Sequence, residues 1–111
     1  MTTPLKITAR QFDATDAIER EVRDRFVQLG KVHHRIMSAH VTMEAPIRHH
    51  RKGGPFTVRI DVAVPGSEIL VTQTAGEDLY AAIRDAFGAA RRRLDEHADR
   101  VHHEVKAHSR P

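Results

Sequence analysis

Arginine and histidine are the side chains of this chain whose chemistry stands out, and their spacing suits holding anions better than making or breaking bonds. Arg20, Arg23 and Arg25 lie close together, with Lys31 and Arg35 behind them. Arg84, Arg91, Arg92, Arg93 and Arg100 form a second series, and Arg48, Arg51 and Lys52 a third. A guanidinium offers five donors in a planar fork and binds phosphate or carboxylate through paired, charge-assisted hydrogen bonds. The competing reading is a solvated face laced with intrahelical ion pairs, such as Asp16 with Arg20 or Glu96 with Arg100. Spacing alone leaves the two readings open.

Nine histidines include the adjacent pairs His33-His34, His49-His50 and His102-His103. Neighbouring residues on a helix or strand point in different directions. The i, i+4 pair of a helical zinc site is missing, so no metal site and no cofactor are expected. These histidines read as exposed loop and terminal residues, with a pH-tuned share in anion binding left open.

Catalytic motifs are absent. Arg51-Lys-Gly-Gly-Pro55 has glycines and a lysine without the spacing of a phosphate-binding P-loop. The three serines stand in strand, turn and tail contexts, not in a nucleophile elbow. Asp95-Glu96 belongs to an exposed helix face, where solvation is the default role. The chain reads as a non-enzyme with no small-molecule substrate.

Composition sets the frame for these residues. With 111 residues there is room for one core, burying roughly two-thirds of the unfolded surface. There are no cysteines, and no apolar run is long enough for a signal peptide or a membrane span, so a cytoplasmic location without membrane contact is expected. Eighteen Lys and Arg against fifteen Asp and Glu leave a net charge of +3, with no large single-sign block. Any basic surface must therefore be assembled by folding.

The elements that would do so are legible. Leu5, Ile7 and Ala9 alternate with Lys6, Thr8 and Arg10, the period of a strand with one covered face. A helix follows over about 16–29, with Thr15 as N-cap or Asp16 and Glu19 as a capping box, and Gly30 as its stop. Ile18, Val22, Phe26 and Leu29 make its apolar stripe. Met37, Ala39, Val41 and Met43 mark a second strand, and Pro46–Pro55 a loop. Phe56 to Val64 alternates as a third strand, Pro65-Gly66 turns, and Ser67 to about Thr74 is a fourth. A long helix begins near Glu77, with Glu77 and Asp78 in its first turn. Its stripe is Leu79, Ile83, Ala86, Phe87, Ala90, Leu94, Val101 and Val105, fraying from about His102.

The order β-α-β-β-β-α gives an α+β fold, a four-stranded mixed sheet with two helices on one face. The other face would carry Lys6, Thr8, Arg10, His40, Thr42, Arg59 and Asp61, open to water. Both helical phenylalanines, Phe26 and Phe87, fall on core stripes, so base stacking is not implied. Any nucleic-acid recognition would be of backbone and shape.

This order, with particular segments, resembles the ribosome hibernation promoting factor and ribosome-associated inhibitor family. Leu5-Lys-Ile-Thr8, Ala14-Thr-Asp-Ala-Ile18, Arg25-Phe-Val-Gln-Leu29 and Arg35-Ile36 follow its pattern. The strongest match is Gly76-Glu-Asp-Leu-Tyr-Ala-Ala-Ile83, and the likeness spans about residues 5–101. Within that segment Leu79 and Ile83 belong to the core stripe and Asp78 caps the helix. Tyr80 reads either as a ring packed at the sheet edge or as an RNA contact.

The resemblance implies a non-catalytic protein that binds 16S rRNA of the 30S or 70S ribosome in the decoding channel. There it would block mRNA and the A- and P-site tRNAs, stopping translation and preserving idle ribosomes under stress or in stationary phase. Taken with the charge placement, the expected rRNA-binding residues are Arg20, Arg23, Arg25, Lys31, Arg84, Arg91, Arg92, Arg93 and Arg100, with Arg48, Arg51 and Lys52 from a loop longer and more basic than in short relatives. Arg25, Arg92 and Arg100 match positions where relatives carry a base. Ala89, Glu96 and Ala98 stand where relatives often repeat lysine, a loss that Arg91 and Arg93 partly offset from other flanks. Residues 1–105 would form the ribosome-binding domain, and 106–111 a polar tail or the start of a linker, in a monomer of the short form or a chain ending at a domain boundary. A protein-interaction or oligomerisation module using the open sheet face, without RNA binding, is the alternative.

Overall fold

The computed structural model describes residues 3–45 and 55–108. The elements are β1 (Leu5–Arg10), α1 (Asp16–Val32), β2 (Ser38–Glu44), β3 (Phe56–Val64), β4 (Ser67–Ala75) and α2 (Leu79–His108). They form one four-stranded sheet in the order β1-β2-β3-β4. β1 and β2 are parallel, as a strand–helix–strand unit requires, and the remaining pairs are antiparallel. The α+β fold expected from the sequence is the fold observed.

Alternation decides which face is covered. Ala39, Val41 and Met43 of β2 pair with Val62, Ile60 and Val58 of β3. Ile60 and Val62 pair in turn with Val71 and Ile69 of β4. All of these are buried together with Ile18, Val22, Phe26 and Leu29 of α1 and Leu79, Ala82, Ile83, Ala86, Phe87, Ala90 and Leu94 of α2. Both helices thus lie on one side of the sheet, with α2 across β3 and β4 and beside α1. No charged or polar residue among those described is buried.

The opposite face is polar. His40 shares hydrogen bonds with Thr8 Oγ1 at 2.8 Å and Thr42 Oγ1 at 3.4 Å, linking β1 and β2. Directly across from His40 on β3 stands Asp61, whose Oδ1 is occluded and has no hydrogen-bond partner. The β3–β4 turn is Pro65-Gly66. Proline fixes a negative φ and Gly66 sits at φ +75°, the sign pattern of a type II turn.

Boundaries depart from expectation at the end of α1, at the start of β2 and at both ends of α2. Gly30 does not end α1; the helix runs to Val32, and the His33 N–H closes on the Leu29 carbonyl at 2.9 Å. One glycine weakens a helix by about 1 kcal/mol, which continued packing and capping offset here. Of the two start signals, Thr15 is the N-cap, with its hydroxyl accepting from the Ile18 N–H at 3.2 Å. Met37, placed by alternation on the buried stripe, lies one residue before β2 and is 58% exposed. Ile36 takes the core position instead, so strand parity starts only at Ser38. At α2, Asp78 is outside the first turn and accepts from the Ala81 N–H at 3.2 Å, and the helix continues to His108, past His102.

Candidate phosphate-binding groove

The two helices meet along a seam, and one part of that seam gathers arginines from both. Arg25, Gln28 and Leu29 of α1 face Arg84, Phe87, Gly88 and Arg91 of α2 around a hollow of about 250 Å³. The spacing explains the gathering. Phe26 and Leu29 are turned into the core, which carries Arg25 to the seam edge. On α2, Ala86, Phe87 and Ala90 are buried, and Arg84 and Arg91, seven residues apart, return to the same flank. Gly88 contributes no side chain to the wall, and a Cβ placed there would lie 3.7 Å from Arg92 Nη1. The Arg92 guanidinium therefore lies over the same turn of α2.

Carboxylates hold some of these groups without cancelling them. Arg25 donates from Nε to Glu21 Oε2 at 2.7 Å, and Arg84 from Nε to Asp85 Oδ1 at 3.2 Å. Arg91 and Arg92 have no ion pair among the described residues. Four arginines against two carboxylates leave a surplus of positive charge. Exposed ion pairs contribute about 0–1 kcal/mol, so an arriving phosphate can compete for either paired guanidinium. The groove can hold phosphates by charge-assisted hydrogen bonds. It presents no nucleophile or general base.

The other expected site residues are dispersed. Arg23 pairs with Glu19 at 3.2 Å and borders a separate cleft beside β1, together with Lys31. Arg20 is exposed on α1 and Arg100 is exposed further along α2. Arg93 points to the sheet, where Nη1 donates to the Leu70 carbonyl of β4 at 3.2 Å. Arg48, Arg51 and Lys52 lie outside the described residues. Tyr80 is 45% exposed, a half-buried ring. The expected pairs Asp16–Arg20 and Glu96–Arg100 are not formed; Glu19–Arg23 and Glu21–Arg25 are the intrahelical pairs of α1. Asp16 instead stands in the first turn, at the positive end of the helix dipole.

Sequence reasoning missed one tie across the seam. His33, just past α1, donates from Nε2 to Asp95 Oδ1 on α2 at 2.8 Å. Nothing in the spacing of residues so far apart signals it. No group of three or more metal-ligating side chains occurs among the described residues.

Residues 5–102 match the family described as sigma 54 modulation protein / S30EA ribosomal protein. The chain belongs to this family. Among its relatives, ribosome-associated factor Y of Haemophilus influenzae is 28% identical over 91 residues, covering 82% of this chain and 78% of that protein. The ribosome hibernation promoting factor of Acinetobacter guillouiae is 29% identical over 97 residues, covering 84% and 85%. In fold the chain is similar to a ribosomal subunit interface protein from Coxiella burnetii, with a TM-score of 0.77 at 14% identity, covering 87% of this chain and 99% of that one. It is also similar to the N-terminal domain of Thermus thermophilus protein Y, with a TM-score of 0.71 at 24% identity, covering 86% and 98%. The S30EA family is one of ribosome-associated factors, not of enzymes, in keeping with the missing catalytic motifs. No helix among the described residues is long and apolar enough to cross a membrane.

Proposed function

We propose that this S30EA-family chain is a ribosome-associated translation inhibitor that acts by occlusion. It binds 16S rRNA in the decoding channel of the small subunit, blocks mRNA and the A- and P-site tRNAs, and preserves idle ribosomes in the cytoplasm under stress. It works as a monomer without cofactor. The observation that carries this reading is the groove where Arg25, Arg84 and Arg91 converge from two helices, with Arg92 alongside. Such a site recognises backbone phosphate and shape, since Phe87, the ring in its lining, is buried in the core and not open to stacking on bases. The names of the two relatives supply the ribosome as the source of that phosphate.

Sedimentation with purified 30S and 70S particles tests the proposal. Co-migration at low salt that is lost as salt rises is the expected result, because phosphate binding releases counterions. With about six phosphates neutralised, the log–log slope of affinity against salt is near −5. Failure to co-migrate at low salt would sink the proposal.

A further inference from the structure

Beyond the arginine groove, the same seam opens into a cleft of about 490 Å³ whose polar lining is dominated by histidine. His33 and His34 come from the end of α1, His97 and His102 from α2, and Arg35 from the connection to β2. Val32, Ile36, Leu94 and Val101 form part of its apolar wall. His33 is held here by Asp95, but neither helix stripe nor an ion pair among the described residues explains His34, His97 and His102. In sequence they are one adjacent pair and two distant single residues.

Two of these rings have one nitrogen already committed. His33 Nε2 donates to Asp95 Oδ1 at 2.8 Å, and His34 Nε2 donates to the Lys31 carbonyl at 2.8 Å. Both acceptors are oxygens without a proton to give, so Nε2 carries the hydrogen in each ring. In the neutral ring Nδ1 is then an acceptor and repels a phosphate oxygen. In the protonated ring Nδ1 becomes a donor with a positive charge behind it. A phosphate can therefore be taken up at His33 and His34 only together with protons.

Arg35 is the one fixed cation lining the cleft, and Asp95 of α2 meets it through His33 Nε2, whereas Lys31 borders the separate cleft beside β1. The α1 C-terminus adds about half a negative charge, which suits a histidinium and opposes an anion. Arg35 against Asp95 and that half charge leaves no positive surplus, so the attraction for an anion comes from the histidines once they carry protons. Each protonation adds to it.

We propose that this cleft is a second phosphate-binding site, engaged when its histidines are protonated and extending the arginine groove along the α1–α2 seam. His33 follows Arg25 by eight residues, about 12 Å at the helical rise, so one polyanion can occupy both sites. This extension rests on the reading of the groove as an RNA site. The cleft's own affinity for phosphate does not.

Inorganic pyrophosphate, added to the full chain and followed by the histidine ring signals in NMR, tests the cleft directly. At pH 6.0 the signals of His33, His34, His97 and His102 should move together and saturate. At pH 8.0 the same pyrophosphate should leave them in place. Equal responses at both pH values, or none at pH 6.0, would overturn the site.

Ribosome binding supplies the second measurement. Between pH 8.0 and 6.0 the log–log salt slope should steepen by about 2, at roughly 0.9 per added phosphate. A variant carrying His34→Gln, His97→Gln and His102→Gln spares the His33–Asp95 tie and should lose most of that steepening. An unchanged pH response in this variant would overturn the link between cleft and groove. Ribosome binding absent at both pH values would sink the groove reading, while the pyrophosphate result would still decide the cleft.

Discussion

Arg93 of α2 donates from Nη1 to the main-chain carbonyl of Leu70 on β4 at 3.2 Å. β4 is an edge strand, and Leu70 is 41% exposed on it. An exposed edge offers unpaired backbone groups to any extended chain, and a cation placed over it discourages pairing. Arg93 therefore lies over the sheet, whereas Arg91 lines the groove and Arg92 lies beside Gly88 in its wall.

Arg93→Ala should leave ribosome affinity nearly unchanged while increasing self-association. The loss of one exposed hydrogen bond costs roughly 0.5 kcal/mol. Size-exclusion chromatography over a range of protein concentrations would reveal the bared edge. A fully monomeric variant with strongly reduced ribosome binding would contradict this division of labour.

Replacing Arg25, Arg84 and Arg91 together with Ala should flatten the salt dependence of ribosome binding by about 2 to 3 in the log–log slope. Stability should change little, because all three lie at the rim of the core and the ion pairs of Arg25 and Arg84 are exposed or only half-buried. Circular dichroism would check the fold and salt titrations the slope. An unchanged slope would remove the groove from the interface.

Gly30→Ala should stabilise the chain by about 0.5–1 kcal/mol. Gly30 lies inside α1 with open space where the added methyl group would stand, and its backbone is not in the left-handed region. Urea denaturation measures this, and a loss of stability would show that the glycine has a packing role.

Asp61→Thr should also stabilise, by roughly 1 kcal/mol, by removing a carboxylate oxygen that is occluded without a partner and adding a strand-favouring side chain. The threonine would stand across from His40, in line with the hydroxyls of Thr8 and Thr42 on the same face. A lower melting temperature would indicate that Asp61 interacts with His40 through solvent.

Much of this fold was legible because alternation and helical stripes are local signals. Ala39, Val41 and Met43, or Ile18, Val22, Phe26 and Leu29, announce their buried faces without reference to anything distant. The ends were harder to read. Gly30 obeys the stop rule in composition, yet the His33 N–H reaches back to Leu29 and carries the helix on. Met37 obeys the alternation, yet the core takes Ile36. Of the site, the shared flank of Arg84 and Arg91 follows from spacing along one helix. Their meeting with Arg25 depends on how two helices lie side by side, as does the His33–Asp95 tie, and no local pattern encodes that. The division between Arg91 and Arg93 is likewise invisible until β4 is in place beside α2.

The parallel register of Leu5 with Ala39 sets the order in which this molecule can assemble. β1 has no neighbour across a tight turn, so it waits unpaired until α1 and β2 have formed. β3 and β4 close on each other through Pro65-Gly66 without such a delay, at the pace of a hairpin, on the order of microseconds. Docking of β1 must meet the larger loop-closure entropy, and is expected to be the slower event. Substitutions in β1 should therefore act mainly on the unfolding rate, and those at the hairpin on the folding rate.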